Sequence, residues 1–445
     1  MTTPLTRPLD ALRDACPVVL PGDETYDAAR LPWNVAADLR PAAVALPTST
    51  EEVVAVVRAA AEAGLRVAPQ STGHGAAALA ERDLSDVLLV KLSGLTGVTV
   101  DAAARTARVL GGTLWQDVVA AAAPHGLTAL HGSAPDVAVA GYVLGGGLSF
   151  YGRQHGVAAS SVRAVEVVTS SGLVRASAAE NPDLFWAVRG GGGNLGVVVA
   201  IELDLLPVAD VYAGMLLWDR SHAPAVTRAW VEWSRSAPES ASTSLRVMSF
   251  PPLPELPPFL SGRDLVIIDG AVLEDDATAE EVLAPLRALA PEMDTFARIP
   301  AAGLLAVHMD PPAPTPAVGD HSVLGPLDDD AVDAFLASVG PGLMFAELRH
   351  LGGAFARPPA TGGALASIPG DYALLCVAVA PTPQAAVAGK AAAFGVVRAM
   401  SRWSRTNLVP TFTETRSDAS RFYDGDDWAR LARMQDPLFV ANHGL

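Results

Sequence analysis

The sequence has few of the residues that mark several common classes of protein. It has only two cysteines, Cys16 and Cys376, in 445 residues, which excludes a disulfide framework and a CxxC site. The net charge of −17 disfavours nucleic acid and anionic membranes as partners, because both attract a basic surface. No uncharged apolar run is long enough to cross a bilayer. We therefore expect a soluble protein with neither kind of partner.

Metal and hydrolase motifs are also missing. The nine histidines are scattered, without an HExxH motif or cysteines at ligand spacing, so no metal site is predicted. The GxSxG motif of a serine nucleophile does not occur. The first residues lack the apolar core of a secretion signal, and we therefore expect a cytoplasmic protein.

What the sequence does contain is glycine, concentrated in three clusters. The first surrounds a histidine, His74, and follows a predicted helix and a short strand. Glycine allows backbone N–H groups to approach a phosphate pair closely. The second cluster, residues 131–156, has little side-chain bulk. We expect a flat cofactor against its backbone rather than a turn system packed on itself.

The third cluster, residues 189–198, contains a formal GxGxxG pattern at Gly191, Gly193 and Gly196. A Rossmann fingerprint has to follow a strand and open a helix. Here the sequence predicts a helix before the glycines and a strand after them. We therefore reject a Rossmann dinucleotide site.

Helices and strands mix along the whole chain. Residues 40–206 do not alternate strictly as βαβ units, which favours an α+β fold with antiparallel pairs. Residues 213–399 contain strands of period two, helices and Pro-rich loops, which predicts an antiparallel β-sheet covered by helices on one face. We predict one domain over 1–212, a second over 213–399, and a segment over 400–445 that returns to the first domain.

The three clusters together resemble the FAD-linked oxidases of the vanillyl-alcohol-oxidase superfamily, berberine-bridge type, with the bacterial hydroxynicotine oxidases as the nearest comparison. Residues 182–198 nearly repeat the segment PDLFWAxRGGGGNFGVV of that family. The resemblance covers residues 40–206 and resumes over 423–445. It implies a PCMH-type FAD-binding domain, FAD as the cofactor and a covalent bond between the flavin and His74.

The resemblance also implies which residues hold FAD. The expected cofactor-binding residues are Gln70, Ser71, Thr72, Gly73, His74, Gly75, Ala76, Pro135, Asp136, Val137, Gly141, Gly145, Gly146, Gly147, Ser149, Tyr151, His155, Gly196, Val197, Val198 and Asn442. Doubly linked relatives have a cysteine where this chain has Ala134, so we expect a single covalent bond. The tail segment 408–412 replaces a typical Tyr-x-Asn-Phe of the family, and no catalytic role is carried over there.

Candidate catalytic residues lie in the second region. Glu347 and Arg349 alternate with Leu348 and His350 on one predicted strand, so one of the two pairs is expected to line a cavity over the flavin. His308 and Tyr372 are titratable and lie in surroundings predicted to be strand-like. The candidate catalytic residues are Glu347, Tyr372 and His308.

These features predict an FAD-dependent oxidase with a small-molecule substrate and molecular oxygen as its partners. The enzyme would take a hydride from a C–H next to an alcohol or amine of a small molecule or natural product. Two alternatives stay open. One is a flavin-dependent oxidative cyclase, and the other is a cyclase or scaffold that binds FAD without net redox chemistry.

Overall fold

The computed structural model describes residues 6–440. The first of its three sheets is small and mixed. The order of its strands is β1-β2-β4-β3, with β2, β4 and β3 parallel and β1 antiparallel to β2. Its strands are β1 (Val18–Val19), β2 (Ala43–Ala45), β3 (Arg66–Gln70) and β4 (Val87–Lys91). Because β2 and β3 both run parallel to β4, the helix between them covers one face of the sheet.

A second sheet of five antiparallel strands follows, in the order β5-β6-β9-β7-β8. Its strands are β5 (Val98–Asp101), β6 (Thr106–Leu110), β7 (Val162–Thr169), β8 (Gly172–Ser177) and β9 (Val197–Asp204). The second glycine cluster is the long connection between β6 and β7. The third glycine cluster leads directly into β9, so the strand follows the glycines as the sequence predicts.

The third sheet has eight antiparallel strands, in the order β13-β10-β12-β11-β16-β17-β15, and β14 also pairs with β10. Its strands are β10 (Asp210–Asp219), β11 (Ala241–Ser249), β12 (Asp264–Val272), β13 (Met293–Asp294), β14 (Ala297–Pro300), β15 (Ala317–Leu324), β16 (Phe345–His350) and β17 (Tyr372–Val379). The predicted antiparallel sheet in the second half of the chain is therefore confirmed.

Apart from those at Thr6–Ala15 and Thr50–Glu62, the helices in the first half of the chain are shorter than those in the second half. They are α1 (Thr6–Ala15), α2 (Tyr26–Arg30), α3 (Thr50–Glu62), α4 (Ala77–Ala80), α5 (Trp115–Ala122), α6 (Val139–Leu144), α7 (Gly152–His155), α8 (Pro182–Val188), α9 (Ala223–Ser234), α10 (Asp276–Arg287), α11 (Asp329–Ser338), α12 (Pro383–Ala399) and α13 (Gly425–Met434). Ser49 caps α3, since its side chain accepts a hydrogen bond from the N–H of Glu52. Among residues 6–440, no helix combines the length and apolar character that a membrane span requires.

Helices α9 to α12 cover one face of the third sheet. That face buries a large apolar core, which includes Trp218, Trp230 and Phe335. The α+β fold and the one-sided helical cover are as the sequence predicts. The opposite face of the sheet is turned toward the first two sheets, and the functional site lies between them.

The C-terminal segment reaches back to the first sheet. The N–H of Val67, on β3, donates to the carbonyl of Leu438, and the N–H of Val440 donates to the carbonyl of Val67. This backbone pairing places the end of the described chain beside the strand that leads into the His74 loop. The domain boundaries drawn from the sequence stay predictions.

Candidate functional site

A cleft of about 330 Å³ lies between the glycine-rich loops and the open face of the third sheet. The His74 loop, the second glycine cluster and the start of β9 form one wall. Strands β15, β16 and β17 form the opposite wall, together with the loop that contains His308 and part of the C-terminal segment. The cleft therefore joins the two regions that the sequence assigned to cofactor and to substrate.

About half of the predicted cofactor residues line this cleft. They are Ser71, Thr72, Gly73, His74, Gly75, Val137, Gly141, Gly196 and Val198. Those that do not line it are Gln70, Ala76, Pro135, Asp136, Gly145, Gly146, Gly147, Ser149, Tyr151, His155 and Val197. Asn442 lies outside the described residues.

In the later part of the second glycine cluster, Gly146 and Gly147 pack against protein side chains, whereas Leu144 and Leu148 line the cleft. A side chain at Gly147 would lie 2.4 Å from the ring of Tyr142, and one at Gly146 would lie 2.4 Å from Leu365. Only glycine fits at these two positions, because neighbouring protein side chains leave no room for a Cβ. The expectation that the whole cluster lies against the cofactor is therefore wrong for these two glycines.

His74 is held on three sides. Its ring stacks on Trp33 with centroids 4.2 Å apart. The hydroxyl of Thr72 lies 2.9 Å from Nδ1, and a carboxylate oxygen of Asp136 lies 3.5 Å from Nε2. Asp136 in turn accepts a hydrogen bond of 2.5 Å from the indole N–H of Trp33. These contacts fix the plane of the imidazole at the mouth of the loop.

The carboxylate of Asp136 lies next to Nε2 of His74. Burial alone raises the pKa of Asp136, but its interactions with His74 and its hydrogen bond from Trp33 outweigh burial and lower the pKa below its ordinary value. Asp136 therefore stays ionised around neutral pH and places a negative charge beside the imidazole.

The wall at the His74 loop has the features that a bound flavin nucleotide needs. Gln70 is buried, and neither polar atom of its side chain has a hydrogen-bond partner among residues 6–440. Gly73 has a φ of 85°, which other residues rarely adopt. A side chain at Gly141 would meet no atom within 4 Å, so bare backbone faces open space. A buried amide without a partner behind the loop, together with bare backbone facing open space at Gly141, fits a flat, polar-edged group such as FAD.

Glu347 and Arg349 face the cleft from the opposite wall. Both are buried, and Nε of Arg349 donates to Oε1 of Glu347 over 2.8 Å. Burial lowers the pKa of Arg349, but the charge of Glu347 outweighs it and raises the pKa. The second carboxylate oxygen of Glu347, Oε2, is buried and has no hydrogen-bond partner in the described chain. Of the two pairs predicted on this strand, the structure selects Glu347 and Arg349.

His308 connects this pair to a second buried charge pair. Its Nδ1 lies 3.0 Å from Asp269, which also accepts from Ser244 and pairs with Arg246. Arg349 donates toward Nε2 of His308 over 3.4 Å, which assigns the hydrogen of the imidazole to Nδ1. Burial raises the pKa of Asp269, but the charge of Arg246 and the hydrogen bonds from His308 and Ser244 hold it well below its ordinary value.

Two details of the predicted catalytic set are wrong. His308 does line the cleft, but it lies in a bend after the 3-10 helix Ala301–Ala306 and not in a strand. Tyr372 is on β17 but faces the helices, where its hydroxyl lies 2.6 Å from that of Ser234 and its ring packs against Trp230. The reason is register, because side chains alternate across a strand and Leu375 and Val377 take the cleft side.

The polar or aromatic residues of the cleft that sequence reasoning missed include Trp33, Asn34, Asp310 and Glu414. Trp33 and Asn34 stand out in the N-terminal segment, but nothing in the sequence places that segment over the His74 loop. Burial raises the pKa of Glu414 to about 7, and the side-chain amide of Asn34 donates to this carboxyl over 3.3 Å. Asp310 and Glu414 lie in loops without periodicity, so no pattern marks them.

Comparison with known proteins bears on the cofactor and on the fold. Residues 41–177 match the family described as FAD binding domain. The (R)-6-hydroxynicotine oxidase of Paenarthrobacter nicotinovorans is 34% identical over 229 residues, which are 51% of this chain and 48% of the relative. The xylooligosaccharide oxidase of Thermothelomyces thermophilus is 33% identical over 225 residues, 49% of this chain and 45% of the relative. The chain thus spans about half the length of the curated relatives it matches.

The similarity in fold covers a much larger part of the chain than the similarity in sequence. A variant of BBE-like 1 from Physcomitrella patens superimposes with a TM-score of 0.85 and 21% identity, and the match covers 98% of both chains. This protein therefore carries an FAD-binding domain, with FAD as its cofactor, in the fold of the berberine-bridge-like proteins. Its homologues include a hydroxynicotine oxidase and oligosaccharide oxidases, so the resemblance found in the sequence is confirmed.

Proposed function

We propose that this protein is an FAD-dependent oxidase of a small molecule. Bound FAD supplies a two-electron acceptor, which takes a hydride from a substrate C–H next to an alcohol or amine and later passes the electrons to oxygen to give hydrogen peroxide. One observation carries the proposal: His74 and the unpaired oxygen of Glu347 belong to opposite walls of one cleft. A substrate between them contacts the cofactor site and a base together.

Residues of both walls have distinct parts in this proposal. Ser71, Thr72 and Gly73 would hold the cofactor through their backbone, and His74 would be the residue that bonds the flavin. Glu347 accepts the O–H or N–H proton of the substrate through Oε2, while Arg349 fixes its other oxygen. His308, held by Asp269, keeps Arg349 in place from behind. The apolar side chains Leu375 and Val377 exclude water from the substrate side.

The test is reduction of the flavin by substrate without oxygen. The FAD-loaded protein is mixed anaerobically with a panel of alcohols, amines and sugars, and the flavin absorbance is followed. An oxidase loses the yellow absorbance with its substrate and regains it with peroxide release when oxygen is admitted. Turnover of a substrate without any bleaching would identify a non-redox cyclase instead. Bleaching that only an artificial dye reverses would identify a dehydrogenase. A cytoplasmic location and a natural-product substrate stay predictions.

A further inference from the structure

The substrate wall of the cleft has an excess of carboxyl groups. Asp310, Glu347 and Glu414 line it, whereas Arg349 is the only arginine or lysine that does so among the described residues. Arg349 is already paired with Glu347. The buried pair of Asp269 and Arg246 behind this wall also cancels in charge. The charge of Asp310 also acts on Arg349, so Asp310 and Glu347 share this one cation, and no described arginine or lysine of the wall is left for Glu414.

The carboxyl groups are also short of hydrogen bonds. Oε2 of Glu347 and Oδ2 of Asp310 are both buried, and neither has a partner within residues 6–440. Glu347 itself is fully buried. Lys390, the lysine that acts on Glu414, pairs with Glu81 at 3.8 Å. An ionised oxygen without a partner is costly to bury, so this wall gains free energy from a ligand that brings a cation or a donor.

Much of the remaining wall is apolar, although His308, Thr315 and Thr411 also line it. Val318, Met344, Phe345, Leu375 and Val377 line the same cleft. A sugar presents hydroxyl groups around its whole ring, and these would lose hydrogen bonds with water against such apolar side chains. An apolar molecule with one cationic nitrogen matches both the apolar side chains and the carboxylate oxygens without partners.

We propose that the substrate site is selective for apolar amines and that Asp310 and Glu347 receive the cationic nitrogen. This inference rests on the proposed function and narrows its substrate class to amines among the alcohols and amines. It also separates this chain from the relatives that are named as oligosaccharide oxidases. Glu414 adds negative charge at the same wall, at a level set by pH.

The first experiment measures binding without chemistry. Benzyltrimethylammonium carries the cation but has no lone pair on nitrogen to support oxidation. Its dissociation constant for the FAD-loaded protein is measured from the flavin spectrum and by calorimetry. Benzyl alcohol and phenylacetate serve as neutral and anionic comparisons. We expect the cation to bind at least about tenfold more tightly than either. Equal or tighter binding of the alcohol or the anion overturns the inference.

Variants test whether the carboxyl groups of the substrate wall cause this preference for the cation. Asp310→Asn should weaken binding of the cation about tenfold and leave benzyl alcohol unaffected, since it removes charge with little change of shape. Asp264→Asn, an exposed residue at the start of β12, makes the same charge change outside the cleft and should change neither constant. Glu414→Gln replaces Asp310→Asn if the latter fails to fold. An unchanged cation constant in the folded wall variant overturns the inference.

A second measurement separates this inference from the proposed function. N-methylbenzylamine, benzyl alcohol and cellobiose are each mixed anaerobically with the FAD-loaded protein. Bleaching by the amine alone supports both proposals. Bleaching by the alcohol or the sugar but not by the amine leaves the oxidase standing and overturns the amine site. Selective binding of the cation without bleaching by any compound supports the amine site and contradicts the oxidase.

Discussion

His74 is the residue on which the cofactor argument depends. Stacking on Trp33, the hydroxyl of Thr72 and the carboxylate of Asp136 hold its ring in one orientation. Such constraint matters at a cofactor site, because a side chain that is already ordered loses little entropy when it bonds its ligand. An imidazole with an ionised carboxylate behind it is also a better nucleophile than a free one.

Replacement of His74 by alanine should release the flavin from covalent attachment. Acid-precipitated wild-type protein should stay yellow, whereas His74→Ala should leave free FAD in the supernatant. The flavin peptide of a protease digest should contain His74 and no cysteine, because Cys16 and Cys376 are buried outside the cleft lining. A white wild-type precipitate, or a peptide with FAD on a cysteine, would contradict the prediction.

Glu347 should control the rate of flavin reduction. Glu347→Gln removes the proton acceptor and is expected to slow reduction by about 10²- to 10⁴-fold in anaerobic stopped-flow. The FAD content should not change, because Glu347 lies on the wall opposite the His74 loop. Tyr372→Phe is the matched control, since Tyr372 faces the helices from the neighbouring strand. If the tyrosine variant is slowed as strongly as the glutamine variant, the assignment to Glu347 fails.

At the scale of elements, β16 shows which part of the site can be predicted from sequence alone and which part cannot. Alternation along a strand predicts that Glu347 and Arg349 share a face, and they do. Which face borders the cleft could not be predicted, because residues 346–350 are all buried and both faces of the strand are covered. A strand covered on both sides loses the alternation of polar and apolar residues that marks the solvent side.

The same limit explains the error at Tyr372 and the omission of Asp310 and Glu414. A titratable residue on a predicted strand has two possible sides, and only the register with β16 assigns Tyr372 to the helical side. The glycine clusters were easier to recognise because close backbone approach restricts the residue type. Loop residues such as Asp310 carry no such restriction, and their position depends on contacts far away in the sequence.

The junction between α7 and the substrate region should tolerate no added side-chain volume. A Cβ at Gly152 would lie 1.9 Å from the ring of Phe355, which is 2% exposed and cannot move into solvent. We expect Gly152→Ala to lower the free energy of unfolding by about 1–3 kcal/mol through overpacking.

The matched control for this change is Gly395→Ala. Gly395 lies in α12, where a Cβ would meet no atom within 4 Å. Alanine should raise the stability there by up to about 1 kcal/mol, because glycine is a poor helix former. Urea unfolding of both variants measures the difference. A Gly152→Ala variant that is as stable as Gly395→Ala would show that Phe355 yields to the added methyl group.

At the scale of the whole molecule, the cleft is closed by segments that are far apart in sequence. The side chain of Asn34 exchanges hydrogen bonds with the backbone of Ala317 on β15, at 2.9 and 3.0 Å. It also donates to Glu414 from the C-terminal segment over 3.3 Å. The side-chain amide of Asn34 therefore joins the N-terminal segment to the third sheet and to the C-terminal segment. Ionisation of Glu414 changes the charge at this junction.

The stability of the protein should depend on pH through Glu414. Burial raises the pKa of this carboxyl from 4.5 to about 7, so the folded state holds a proton that the unfolded chain releases between these values. Its contribution to stability is present in full below pH 4.5 and is lost as the pH rises through 7. Glu414→Gln cannot ionise and avoids this loss.

The free energy of unfolding of Glu414→Gln, relative to the wild type, should therefore increase between pH 4.5 and 7 and then level off. The increase should be at most about 3 kcal/mol, because each unit of pKa shift corresponds to about 1.4 kcal/mol. Urea unfolding at a series of pH values measures it. Glu255→Gln, at an exposed carboxyl in a Pro-rich loop, is measured in parallel as the control for the substitution itself. A difference for Glu414→Gln that is flat or falls with pH would mean that this carboxyl ionises normally in the folded protein.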